Sequence, residues 1–201
     1  MRRQQITFLL VGLIAGLISV ALGTRWLTIL TYGVGPLFFV AVVAGIVSTG
    51  AWRYVQIGLL RYLAGLILIT ITYLVGLVAF FAVTGFSPHW FGVRPSADIV
   101  DFRIDVWLGL VAAGVVGASG IALFTVLLTG KWSNSLFLLL MLAGFLTIQV
   151  TFITNLAFHN YWSFLGVLFP LGEALFCYLV GSQIWQHLQL AGQVAATAPT
   201  A

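Results

Sequence analysis

Charge is what this chain has least of. Asp, Glu, Lys and Arg together supply 6% of its 201 residues, against roughly 25% in soluble globular domains. Eight basic and four acidic side chains cannot cover a water-facing surface. The basic ones are also scattered, which excludes the dense Lys/Arg stripe of a nucleic-acid footprint. Cysteine is almost missing. Cys177 stands alone, so no internal disulfide can form, and its place inside an apolar run marks it as a small core residue. The three histidines, His89, His159 and His187, all fall outside the apolar runs, so haem ligation between helices has no ligands to use. No Gly-rich phosphate loop follows a strand, and no strand is expected.

What the chain does have is apolar residues, 62% of the total, gathered in blocks instead of the periodic pattern of an amphipathic helix. Blocks of about 18 or more residues match a ~30 Å hydrocarbon core. Within it only helices or closed barrels satisfy every backbone donor and acceptor, and continuous runs exclude the alternation of a barrel. The sequence therefore predicts an all-α, polytopic membrane protein: one transmembrane domain over residues 1–190 with six transmembrane helices, and a disordered tail over 191–201.

The six runs cover residues 6–23, 27–49, 58–86, 106–128, 135–158 and 161–185. Arg2 and Arg3 precede the first and hold the N-terminus in the cytoplasm. A cleaved signal peptide is the alternative there, with Ala21 and Gly23 small enough for a cleavage site; the spans that follow favour an uncleaved helix. Gly33, Gly35 and Pro36 in the second run predict a kink or an unwound turn. Arg61 opens the third, where it can snorkel to the headgroups.

Between the third and fourth runs lies the one long polar segment, 87–105, with Asp98, Asp101, Asp105, His89, Arg94 and Arg103. The aromatic residues Trp90, Phe91 and Phe102, with Trp107 just beyond, place it against the membrane interface. The aspartates with His89 suggest a cation site, but their three- and four-residue spacing suits a solvated helix start better. With the N-terminus inside, Arg2, Arg3, Arg53, Arg61 and Lys131 lie on the cytoplasmic side, against Arg25, Arg94 and Arg103 outside. This excess predicts cytoplasmic termini in a plasma or inner membrane.

Two short echoes run through the sequence. Arg25-Trp26 recurs as Lys131-Trp132, 106 positions later, and Tyr73-Leu74-Val75-Gly76 as Tyr178-Leu179-Val180-Gly181, 105 positions later. One duplication accounts for both. A repeat of three helices forces the second half to enter the membrane inverted, a plan that many secondary transporters use, with the substrate site near the midplane.

Glu173 is the leading candidate for chemistry, as the only acidic residue inside a span. It lies eleven residues beyond Trp162, or about 16 Å at ~1.5 Å per residue, close to the bilayer centre. A charged carboxylate facing lipid there costs at least ~2.5 kcal/mol, so it should face the bundle, be protonated or be paired. Gly166, Pro170, Cys177 and Gly181 share its face at spacings of three and four, a small-residue surface for close helix approach. The tight turn at His159-Asn160 makes the fifth helix the expected neighbour. That helix carries Thr147, Thr151, Asn155 and His159, four apart, a polar stripe from the midplane to the outer surface. The stripe suits a proton or solute path; it also suits hydrogen bonds that simply hold helices together, each worth ~0.6 kcal/mol.

Gly117-Ala118-Ser119-Gly120 resembles the serine motif of rhomboid intramembrane proteases. That resemblance implies a histidine base on a late span, and no histidine lies in one, so helix packing explains the motif better. No catalytic residue, cofactor or metal is expected. The expected partners are the lipid bilayer and a second copy or another membrane protein, not nucleic acid. The leading expectation of function is a small transporter- or channel-like protein whose Glu173 binds a proton or cationic solute. The alternative is a non-catalytic membrane subunit or scaffold.

Overall fold

The computed structural model describes residues 2–23, 27–51, 59–84, 104–158 and 161–197. Among them are six helices: α1 (Arg2–Gly23), α2 (Leu27–Ser48), α3 (Leu59–Thr84), α4 (Ile104–Thr129), α5 (Asn134–Phe158) and α6 (Tyr161–Thr197). Five carry stretches long and apolar enough to cross a membrane: Arg3–Ala21, Leu60–Val83, Trp107–Thr129, Asn134–Thr151 and Val167–His187. In α2 the corresponding described stretch is Pro36–Ser48.

The outward faces are apolar throughout. Leu10, Ile14, Ile67, Ile71, Leu138 and Ile153 all point away from the bundle, and Leu60 is 81% exposed. Water would not tolerate so large an apolar surface on a monomer, whereas lipid demands it. The interior is a single principal cluster around Phe8, Val42, Ile46, Phe124, Leu140, Cys177, Val180 and Ile184.

Each helix packs on its sequence neighbours, and α6 returns to α1, so the bundle closes into a ring. The pairs α1·α6 and α3·α4 share the most extensive interfaces, and α6 also reaches α2 and α4. Local chemistry ends the helices where the polar connections begin. Gly50 and Gly130 adopt positive φ of 73° and 72° just beyond α2 and α4, a conformation that glycine takes without the Cβ penalty. Ser133 caps α5, its Oγ accepting from Leu136 N at 3.2 Å.

Two expectations need revision, and a third lies largely outside the described residues. The helix of α2 is continuous through Pro36, so there is no unwound turn at the Gly33–Pro36 cluster. The long loop 87–105 lies outside the described residues except for Ile104 and Asp105, which open α4. The stretch 191–201, expected to be disordered, is helical as far as Thr197. Ala191, Gln193, Ala195 and Ala196 favour helix irrespective of bilayer depth.

The echoed tetrapeptides have a spatial counterpart. Gly76 of α3 faces Ala113 of α4, where a Cβ on the glycine would lie 3.6 Å from the Ala113 carbonyl oxygen. Gly181 of α6 faces the Phe8 ring of α1. Gly181 follows Gly76 by 105 positions, and Ala113 follows Phe8 by the same 105. The two most extensive interfaces thus cross in one register. Phe8 also meets Gly45 of α2, and Gly114 of α4 meets Ile148 of α5, within two positions of where the same offset puts that contact.

Candidate functional site

Glu173 sits in the N-terminal half of α6, only 5% exposed. Its Oε1 lies 2.9 Å from Ser19 Oγ of α1, while Oε2 is buried with no hydrogen-bond partner among the described residues. No Lys or Arg among those residues forms an ion pair with it. The site is therefore one carboxyl group and one hydroxyl, enclosed between the first helix and the last.

Local sequence explains how these two side chains meet. Gly12 and Gly16 on α1 stand four apart, the small-xxx-small spacing that lets membrane helices approach closely. A Cβ on Gly12 would fall 2.6 Å from the Glu173 carbonyl oxygen and 2.8 Å from Cys177 Cβ; one on Gly16 would collide with Pro170. On α6 the small-residue face that holds Pro170, Cys177 and Gly181 is turned to α1. Pro170 adds no N–H of its own and leaves the Gly166 carbonyl without its intrahelical donor. Glu173 follows one turn later.

Ser19 is bonded in two directions. Its Oγ also lies 3.0 Å from the Ala15 carbonyl oxygen, one turn back in α1. A hydroxyl has one hydrogen and two lone pairs, so the pair has two self-consistent arrangements. With Glu173 ionised, the Ser19 hydrogen turns to the carboxylate. With Glu173 protonated, the Ser19 hydrogen turns to Ala15 and the carboxylic acid donates to Ser19 Oγ. Rotation of one hydroxyl lets the site hold or release a proton without a change of partners.

The expected polar stripe of α5 is only partly in view. Thr147 and Thr151 are buried, and Thr147 is beside the carboxylate's turn of α6, with its methyl carbon 3.6 Å from the Cβ position of Gly172. Their hydroxyls, however, donate to their own helix, Thr147 to the Ala143 carbonyl at 2.8 Å and Thr151 to the Thr147 carbonyl at 2.7 Å. Asn155 belongs to α5, but its side chain, like all of His159, lies outside the described residues. The partner of Glu173 thus comes from α1, not α5. A short turn guarantees that α5 neighbours α6, but a helix in a ring has two neighbours, and ring closure supplies α1 as the second. The sign of this in the sequence was the Gly12–Gly16 spacing, with Ser19 continuing the same face.

The remaining candidates resolve as packing. Ser119 donates to the Val115 carbonyl at 2.8 Å, and Gly120 receives the Thr72 side chain. Cys177 is wholly buried against Gly12. No group of three or more His, Cys, Asp or Glu side chains suited to a metal occurs among the described residues. Comparison with protein-family models, curated proteins and solved structures finds no match to this chain.

Proposed function

We propose that this protein is a small transporter- or channel-like membrane protein in which Glu173 binds a proton or a cationic solute. The observation that carries this reading is the Glu173 carboxyl itself, buried within the apolar stretch of α6 with one oxygen on Ser19 and the other without a partner among the described residues. Intramembrane carboxylates are costly and mark ion or proton pathways. An ion pair would explain this one as structure, but Ser19 offers only a single hydrogen. The matched registers of α1·α6 and α3·α4 support two inverted halves, the plan on which midplane transporter sites are built. The polar stripe that begins with Thr147 and Thr151 on α5 forms the outer approach, through the hydroxyl lone pairs that the own-helix bonds of these two threonines leave free.

The scaffold alternative needs small-residue faces turned outward for partners. Gly12, Gly16, Gly45, Gly65, Gly120 and Gly181 are instead occupied by helices of the same chain, and Gly117 alone among the described helical glycines faces open space. The test is flux in liposomes containing the purified protein, read with an internal pH dye under a proton or cation gradient. Glu173→Gln keeps the volume and the acceptor for Ser19 but cannot titrate; it should cut flux by roughly tenfold or more, the scale of one lost charge interaction. Equal flux in the mutant, or none in the wild type across protons and simple cations, would overturn the reading.

A further inference from the structure

The seam between α1 and α6 changes character along its length. On α1 the side facing α6 carries Gln5, Phe8, Gly12, Gly16 and Ser19, at spacings of three and four. At the N-terminal end of α1, Gln5 Nε2 donates to Ser182 Oγ at 3.0 Å, and Ser182 donates onward to the Tyr178 carbonyl at 2.8 Å. The other polar pair, Ser19 with Glu173, lies fourteen positions further along α1, or ~21 Å of helix. Between the two pairs the seam is apolar.

Phe8 dominates that apolar stretch. It is fully buried, and its ring lies where α2 and α6 both present glycine: a Cβ on Gly45 would be 2.5 Å from the ring, and one on Gly181 would also strike it. Three helices therefore close upon a single side chain, and two of them leave hydrogen in place of a side chain at the contact. Turning the ring about its Cα–Cβ bond would uncover a gap between Gly45 and Gly181 that neither helix can fill.

We propose that Phe8 is the inner gate of the route to Glu173. With the ring seated, it separates the carboxylate from the Gln5–Ser182 level. With the ring turned aside, the seam is free to part past Cys177 and Gly12, and water carrying a proton, or a small cation, then reaches Glu173 from the face that bears the N-terminus. The idea rests on Glu173 as the binding group, but it can be tested apart from flux, because Cys177 sits on the same seam between Phe8 and Glu173 and is the only cysteine in the chain.

The experiment uses the full chain in vesicles of known orientation, with a membrane-impermeant cationic methanethiosulfonate added on the N-terminal face and modification read by mass spectrometry. In the wild type Cys177 should resist the reagent, while Gln5→Cys in a Cys177→Ala background should react readily. Phe8→Ala should speed modification of Cys177 by about tenfold or more, since thiol reactivity follows access. Phe8→Leu, which keeps most of the ring's volume and so tests the gate with less risk to folding, should give a smaller rise. The gate is overturned if wild-type Cys177 reacts as fast as the cysteine at position 5. It is equally overturned if Cys177 stays unreactive in Phe8 variants that retain the wild-type helical spectrum and elution. Gated access without flux in liposomes would remove the transport reading alone; flux that depends on Glu173 with Cys177 insensitive to Phe8 would remove the gate alone.

Discussion

The close approach of α1 and α6 should be breakable by a single methyl group. In Gly12→Ala the new Cβ would lie 2.6 Å from the Glu173 carbonyl oxygen, 2.8 Å from Cys177 Cβ and 2.9 Å from the Ala174 Cα. Two of these three neighbours are backbone atoms of a helix and cannot turn aside. To restore ordinary contact the helices must separate by about 1 Å, since packed carbon atoms sit ~3.5–4.0 Å apart. The Ser19–Glu173 distance of 2.9 Å would then pass the ~3.5 Å beyond which a side-chain hydrogen bond is lost. Overpacking costs roughly 1–3 kcal/mol, and the broken bond adds ~0.6 kcal/mol.

Alanine also favours helix over glycine by about 1 kcal/mol, so Gly12→Ala needs a reference that shares this gain. Gly117→Ala provides it, because a Cβ there meets nothing within 4 Å. The difference between the two variants then isolates the clash, at about 1.5–3.5 kcal/mol in favour of Gly117→Ala. Thermal or denaturant unfolding of the detergent-purified variants measures it. A Gly12→Ala protein as stable as Gly117→Ala would refute the packing on which the site depends.

Two further substitutions probe the site and its approach. Ser19→Ala should destabilise by about 1 kcal/mol, the cost of leaving a buried acceptor without its donor, and should slow flux; wild-type flux in that variant would show that the hydroxyl does not take part in proton transfer. Thr151→Val keeps shape but removes a hydroxyl whose hydrogen is already given to the Thr147 carbonyl. Unfolding should place it within about 1 kcal/mol of the wild type, the net worth of one internal hydrogen bond, with flux reduced; a silent variant would take the α5 stripe out of the route and leave Glu173 in place.

Hydropathy found the helices because the bilayer imposes a length on apolar runs, so spans read from the sequence end close to α1 to α5. At α6 the expected span end at Trp185 lies two residues from the end of the apolar stretch Val167–His187, while the helix itself continues to Thr197, since helix formation does not stop where hydropathy falls. Glu173 was legible because an acid in a span is rare. Ser19 was not, since a serine among apolar residues is an ordinary helix constituent. Its meaning appears only when the ring closes and Gly12 and Gly16 bring α1 against α6. For Thr147 and Thr151 the spacing placed both on one buried face, as found, but spacing does not say that each hydroxyl would give its hydrogen to its own helix four residues back.

The seam between α3 and α4 serves as an internal reference for what packing alone requires. It crosses in the register of α1·α6, and the 105-residue offset places Phe124 opposite Ser19 and Leu68 opposite Glu173. Phe124 is buried against Gly65 and tilts on Phe39 with ring centroids 5.8 Å apart. An aromatic and an aliphatic side chain thus fill the equivalent positions, and the interface is as extensive as its counterpart. A helix pair of this geometry has no need of a carboxyl group to hold together. Replacing a buried polar pair by apolar groups of matching shape is often neutral or stabilising, so packing does not account for Glu173. What distinguishes the α1·α6 seam is its buried carboxyl group on Ser19, and that group is the reason to look for function there.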